Sequence, residues 1–242
     1  KPSLEELVNL SRERRVPLVD DIGSGALIDF SKYGVEGDPI ASESIKAGAD
    51  LLLMSGDKLL GGPQCGIIVG RQRLVDSILA HPLMRAFRVD KVTLAALAAT
   101  LRLYRDPTQA ESAIPVLRLL ATSMENLQHR SQRLVPQLQA ATAIAHVEAI
   151  ESTTYLGGGS VPHQSLPTWC VALTADDMTV DELAARLRTG RPSVFGRIQK
   201  DRLLLDLRSV PPDQDALLVA AVNDCSREDN ANPEEAPSST DA

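Results

Sequence analysis

Side chains able to do covalent chemistry together are concentrated in two short stretches of the 242-residue chain. One is SGDKLLGGPQCG at 55–66, where Lys58 follows the apolar run LLLMS and precedes Gly61, Gly62, Pro63 and Gly66. A short, wholly apolar run reads as a strand buried inside a parallel sheet. Lys58 then stands just past its carboxyl end, where open α/β sheets hold their ligands. A loop lysine is ordinarily a solvated surface cation; what distinguishes this one is the neighbouring glycines and proline, which permit close backbone approach and a tight turn. A Walker loop is excluded, because its glycines precede a lysine followed by Ser or Thr, whereas here the glycine run comes after.

A desolvated lysine amine is a Schiff-base nucleophile, and pyridoxal phosphate is the cofactor that most often uses one. Such a site also needs a carboxylate for the pyridine nitrogen and hydroxyl donors for the phosphate. Asp20 and Asp21, at the end of the strand pattern VPLVD (16–20), and Ser55, three residues before Lys58, answer those needs. A turn or cap at a strand end accounts for either aspartate taken alone. Adjacent strand residues face opposite ways, so register decides which of the two meets a ring.

The elements that must position these residues are readable in outline. Ser3 and Glu6 form a capping-box pattern ahead of the stripe Leu4, Leu7 and Val8. Strands are expected at 16–20, 51–55 and 66–69, with a helix at 41–49, which argues an α/β layered domain. Leu94, Leu97, Leu101 and Tyr104 recur at helical spacing, marking a long amphipathic helix that ends near Asp106 and Pro107. Helix continues over 111–139 with Pro115 and Pro136 as expected breaks. An α+β pattern follows: strands near 145–151, 168–173, 193–198 and 202–207, turns at 157–159 and 200–201, and helices at 180–187 (capped by Thr179 with Glu182) and 213–222. The Ser-, Pro-, Asn- and acid-rich tail from 226 is expected to be disordered.

Composition bounds the remainder. Hydrophobic residues at 43% and charged residues at 24% describe a globular chain able to bury one or two cores. The net charge is −7, and residues 227–242 hold five acids against one base, so nothing global advertises a grip on nucleic acid or an anionic membrane. With 3% aromatic residues and no interleaved basic stripe, a stacking RNA-binding module is disfavoured. Cys65, Cys170 and Cys225 lack C-x-x-C spacing, and His81, His129, His146 and His163 lack zinc-site spacing, so reduced thiols and no structural metal are expected. The longest apolar run, 216–222, is far short of the roughly 20 residues that span a bilayer. The first residues, KPSLEELVNLSRERR, are amphipathic and charged, unlike a signal peptide.

Five segments together resemble bacterial selenocysteine synthase, the L-seryl-tRNA(Sec) selenium transferase family. They are DDIGSGALIDFSKYG (20–34), LLLMSGDKLLGGPQCGIIVGR (51–71), HPLMRAFRVDKVTLAALAATLRLY (81–104), GGGSVPHQSLP (157–167) and GRIQKDRLLLDLRSV (196–210). The S-G-D-K-L-L-G-G-P-Q block followed by R-x-x-R-x-D-K is the specific part. The resemblance implies a fold type I pyridoxal phosphate enzyme, cytoplasmic, assembled as a homo-oligomer of dimers. It would convert serine esterified to tRNA(Sec) into selenocysteine through a dehydroalanyl intermediate, with selenophosphate as donor. By position, Lys58 would hold the cofactor and act as base at Cα, Asp21 would pair with the pyridine nitrogen, and Asp57 would be the neighbouring catalytic carboxylate. Arg85 and Arg88, three apart on one helical face, would bind the donor's phosphate; without the family they read as a solvated face or surface ion pairs.

The resemblance further implies the carboxyl-terminal portion of that enzyme, lacking its tRNA-binding domain and inactive by itself. The expected organisation is 1–106 as half of the cofactor domain with a bridging helix, 107–225 as a small α+β domain, and 226–242 as tail. Two other readings stand beside it: a fold type I carbon–sulfur lyase or transferase acting on a free amino acid, and a non-catalytic fragment.

Overall fold

The computed structural model describes residues 2–157, 161 and 164–225. The chain divides into two compact units, Lys1–Thr122 with Thr153–Leu166, and Ser123–Ser152 with Pro167–Ala242.

In the first unit, α1 (Leu4–Arg14) begins on the expected capping box: Ser3 Oγ accepts the Glu6 N–H, and the Glu6 carboxylate accepts the Ser3 N–H. Strand β1 (Val19–Gly23) starts at Val19 rather than Val16. Pro17 has no N–H to give, and the Leu18 N–H is taken by the Asp50 carboxylate, so the ladder begins beyond them. After α2 (Ala41–Ala47), β2 (Leu51–Ser55) lies parallel to β1, with Asp21 opposite Leu53. Strand β3 (Gly66–Gly70) is antiparallel to β2, with Ser55 opposite Gly66. The order β1-β2-β3 puts LLLMS in the middle. Parallel pairing thus holds on one side of β2 only, because loop 56–65 is too short for a crossover.

Helices α3 (Gln72–Leu79), α4 (Met84–Phe87), α5 (Lys91–Leu103), α6 (Pro107–Ala113) and α7 (Pro115–Ala121) follow. The Asp90 carboxylate caps α5 by accepting the Val92 and Thr93 N–H groups. Asp106 caps α6, with Pro107 in the first turn, where its missing N–H costs nothing. Ala110, Ile114, Leu117 and Leu120 of this pair pack in one core with Phe30, Val35, Leu59 and Leu166. That shared core carries the unit to Thr122, beyond the boundary expected at 106, and draws in 153–166.

The second unit holds α8 (Met124–Leu138), β4 (Ile144–Tyr155) as far as Ser152, β5 (Ser165–Ala175) from Pro167, α9 (Val180–Thr189), β6 (Arg197–Gln199), β7 (Arg202–Asp206) and α10 (Asp215–Asp224). Sheet order is β4-β5-β7-β6, with β7 antiparallel to both β5 and β6. Lys200 and Asp201, at φ 52° and 58°, make the two-residue hairpin turn between β6 and β7. Thr179 and Glu182 form the capping box of α9. Leu127, Leu134, Leu138, Val171, Leu183 and Leu203 lie at the centre. Pro136 sits inside α8 rather than ending it, since Leu134 and Leu138 are buried on either side of it in the last turn. Gly158 and Gly159 of the expected glycine turn, and the tail from 226, lie outside the described residues. No helix among the described residues is long and apolar enough to cross a membrane.

Candidate active site around Lys58

Because β1 and β2 are parallel, their carboxyl ends share one edge of the sheet, and the two stretches singled out in the sequence meet there. Opposed residues on paired strands face the same way. Asp20, opposite Leu52, takes the face of Leu52 and Met54, which are core. Asp21, opposite Leu53, takes the other face, the one that Ser55 also presents. Register therefore separates the two aspartates and groups Asp21 with Ser55. Asp21 is exposed, and its Oδ1 accepts the Gly23 N–H at 3.1 Å. The ladder shifts between Asp21 and Gly23, so the chain leaves β1 through an irregular turn.

Lys58 is half-buried and Asp57 exposed, in a loop whose backbone is tied on every side. The Gly56 N–H donates to the Cys65 carbonyl at 2.8 Å, the Gly62 N–H to the Gly56 carbonyl at 2.8 Å, and the Gly61 N–H to the Lys58 carbonyl at 2.9 Å. Leu59 and Leu60 are 1% and 0% exposed; such burial stabilises by roughly 1.5–3 kcal/mol per leucine and anchors the chain immediately after the lysine. Gly61 is at φ +70°, where a Cβ would also stand 2.5 Å from Ile114.

The loop after β1 is stitched to this one. The Leu59 N–H donates to the Ser24 carbonyl at 2.9 Å, and Ser24 Oγ donates to Asp38 Oδ2 at 2.7 Å. Burial pushes the Asp38 carboxyl upward, and the Ser24 hydrogen bond opposes that. Gly25, at φ +75°, lets the two loops touch, since a Cβ there would lie 2.2 Å from the Ser55 carbonyl oxygen. From α5, the Tyr104 hydroxyl reaches the Leu60 carbonyl at 2.9 Å and the Leu59 carbonyl at 3.3 Å. Burial pushes the Cys65 thiol up, with the Asp57 carboxylate adding to the effect.

Arg85 lies in α4, and Arg88 caps it in an extended conformation, so the single helical face expected for the pair is cut short at Phe87. Four residues are all the helix there is, because the Asp90 cap starts a new one. Both arginines are exposed and line one cleft of about 970 Å³ with Gly66, Ile68, Lys91 and Leu94. Lys58 and Asp21 do not line it. The link between the two places is β3: Gly66, on the cleft, pairs with Ser55, on the face that carries Asp21. Sequence reasoning passed over Ser24, Gly25, Asp38 and Tyr104. The glycine beside Ser24 is the one available signal; Tyr104 falls in the amphipathic stripe with Leu94, Leu97 and Leu101.

A parallel strand pair with a lysine loop at its carboxyl end, then a helical run and a separate four-stranded sheet, is the α/β architecture of the fold type I enzymes. The solved D-glucosaminate-6-phosphate ammonia-lyase shares it, with a TM-score of 0.56 at 18% identity over 93% of this chain and 53% of that one. The sequence profile of the family described as L-seryl-tRNA selenium transferase matches residues 1–211, and the chain belongs to that family. The L-seryl-tRNA(Sec) selenium transferase of Hyphomonas neptunium is 46% identical over 209 residues, which is 86% of this chain and 45% of that protein. Its counterpart in Geobacter sulfurreducens is 43% identical over 220 residues, 90% of this chain and 48% of that protein. The chain spans less than half the length of these curated relatives.

Proposed function

We propose that this chain is the lysine-bearing part of a pyridoxal-phosphate-dependent enzyme that converts seryl-tRNA(Sec) into selenocysteinyl-tRNA(Sec) in the cytoplasm, with selenophosphate as donor, working as a homo-oligomer of dimers. The observation that carries the reading is the meeting of the Lys58 loop with Asp21 and Ser55 at one sheet edge, in a chain matched by the family over 1–211. The donor set fits the cofactor: a half-buried primary amine, a carboxylate and a hydroxyl on one strand face, and backbones brought close at Gly25.

Pyridoxal phosphate, when bound, supplies an electron sink for charge developing at the serine Cα. Lys58 would hold it covalently and then carry the Cα proton. Asp21 would keep the proton on the ring nitrogen by pairing with it. Ser55 would donate to the phosphate, and Asp57 would stand beside the lysine as a second carboxylate. Arg85 and Arg88 would bind the phosphate of the selenium donor, for which guanidinium forks are suited. In sum the serine hydroxyl would leave as water, selenium from selenophosphate would bond to the serine Cβ in its place, and hydrolysis of the Se–P bond would release the donor's phosphate.

The test joins this chain behind the amino-terminal half of the Geobacter sulfurreducens relative and assays selenocysteinyl-tRNA(Sec) formation. Activity lost in Lys58→Ala and Asp21→Ala, and lowered in Arg85→Ala and Arg88→Ala, is the expected result. Turnover of free serine or cysteine without any on the tRNA would favour a carbon–sulfur lyase or transferase. Absence of every activity and of cofactor capture would leave the non-catalytic reading.

A further inference from the structure

We propose that Tyr104 is a positioning residue for Lys58, its hydroxyl fixing the backbone that follows the lysine and so setting where the amine stands relative to Asp21. The inference rests on the reading of Lys58 as the cofactor lysine. It starts from an asymmetry in the loop. Ahead of Lys58 the chain is held by the β2–β3 ladder, which ends at the Ser55–Gly66 pair, and by the Gly56 N–H bond to the Cys65 carbonyl. Behind Lys58 there is no strand. There the chain is held by the Leu59 N–H on the Ser24 carbonyl and by the Leu59 and Leu60 carbonyls on the Tyr104 hydroxyl. Buried carbonyls require a donor, and Leu59 and Leu60 are almost wholly buried. Tyr104 has a single proton to give, shared between two adjacent carbonyls, so the hydroxyl constrains both peptide planes at once.

The two ties lead to different elements. Ser24 belongs to the loop that leaves β1 just after Asp21, and Tyr104 is the C-cap of α5. Lys58 is thereby tethered to the strand carrying its carboxylate partner and to a helix of thirteen residues. A purely packing tyrosine would gain its place from its ring alone. This one brings its oxygen to the peptides next to the lysine, and burial pushes its phenol up to about 12, which keeps the donor proton in place at neutral pH.

The experiment takes the chain joined behind the amino-terminal half of the Geobacter sulfurreducens relative and compares this parent, its Tyr104→Phe variant and one carrying 3-fluorotyrosine at 104. Two readouts are taken. One, without cofactor, is amide hydrogen exchange across 56–62; the other is the amount of pyridoxal phosphate reduced by borohydride onto the Lys58 peptide. In Tyr104→Phe the Leu59, Gly61 and Gly62 amides should exchange about tenfold faster, with α8 unchanged, and half-maximal capture should need about tenfold more cofactor, as for loss of one ordinary hydrogen bond. The fluorinated chain keeps the shape and the donor, so it should match the parent at neutral pH and lose capture at a lower alkaline pH. Loop exchange at the parent's rate in Tyr104→Phe overturns the proposal, as does unchanged capture. Should the Phe variant not fold, an alkaline limit unmoved by fluorination overturns it instead. If the parent captures no cofactor on Lys58, the cofactor reading fails, and the exchange result alone decides the clamp.

Discussion

Tyr104 and Cys170 make the stability of the chain sensitive to alkali. Burial pushes the phenol from its ordinary 10.0 up to about 12 and the Cys170 thiol from 9.0 up to about 11. A raised pKa in the folded state means that the native chain holds the proton more tightly. Each contribution is complete below the unfolded value and is lost as pH rises through the folded one. Unfolding by urea at stepped pH should therefore show stability falling from about pH 9, with Tyr104→Phe flatter than the parent between 10 and 12. Parallel curves in that window would deny the phenol its role. A second residue-level expectation concerns Asp215, whose carboxylate accepts from Arg130 Nε at 3.2 Å and from Arg130 Nη2 at 2.6 Å and also pairs with Arg133. The Arg130 side chain is 6% exposed and that of Arg133 59%. Asp215→Ala leaves a buried cation with only the Leu207 and Val210 carbonyls and should cost about 3–5 kcal/mol. Arg133→Ala, which removes the exposed partner, should cost less than about 1 kcal/mol. Similar losses in the two variants would show that burial is not what sets the cost.

Among the elements, β1 and β2 must stay in contact at their carboxyl ends for Asp21 and Lys58 to act together, and Gly25 decides whether they can. Gly25→Ala brings a Cβ against the Ser55 carbonyl and strains a positive φ; Gly37→Ala, at φ +68° with nothing within 4 Å, carries the strain alone. The Gly37 variant should lose about 1–2 kcal/mol. The Gly25 variant should lose clearly more and should also lose cofactor capture at Lys58; equal losses would remove the close approach from the account. Of this contact only Gly25 itself was legible in the sequence, without the partner it meets, although the strands were. LLLMS announced β2 and the position of Lys58, because four consecutive apolar residues in so short a run have one home in a sheet. Capping boxes at Ser3 and Thr179 were legible because their chemistry is local. The start of β1 was misplaced, since Asp50, thirty-two residues on from Leu18, takes the N–H that would have extended the ladder. The helical face expected for Arg85 and Arg88 is absent, since the helix stops at Phe87, with Arg88 extended and Asp90 capping the next helix two residues on, and a spacing of three does not disclose that stop. Tyr104 fitted its apolar stripe, and only the folded chain reveals what its oxygen touches. The boundary expected at 106 failed for a related reason: an amphipathic helix shows that it has a buried face and is silent on which core receives it.

At the scale of the molecule, several large apolar side chains among the described residues stand in water. Phe87 is 74% exposed and Val92 71%, and Leu79, Leu83 and Leu94 are more than half exposed, all on α3 to α5 or the connections between them. Val16 and Val19 are likewise exposed at the β1 side of the three-stranded sheet, whose edge strand is unpaired among the described residues. Large apolar side chains exposed in numbers on neighbouring elements mark surfaces that another polypeptide covers, and open edges invite pairing. The curated relatives have more than twice the matched length. The 242 residues in isolation are therefore expected to self-associate, through apolar contact rather than through charge. Sedimentation velocity across a concentration series should show the mean mass rising, and the rise should persist or strengthen in sulfate, which favours apolar burial. An association driven by the uneven charge of the chain, net −7 with an acidic end, would instead weaken as salt screens it. Phe87→Ser with Val92→Lys should return the chain toward monomer while leaving the urea midpoint nearly unchanged, because neither side chain contributes to a core. A chain that stays monomeric at every concentration, or whose association those two substitutions do not touch, would place the sticky surface elsewhere.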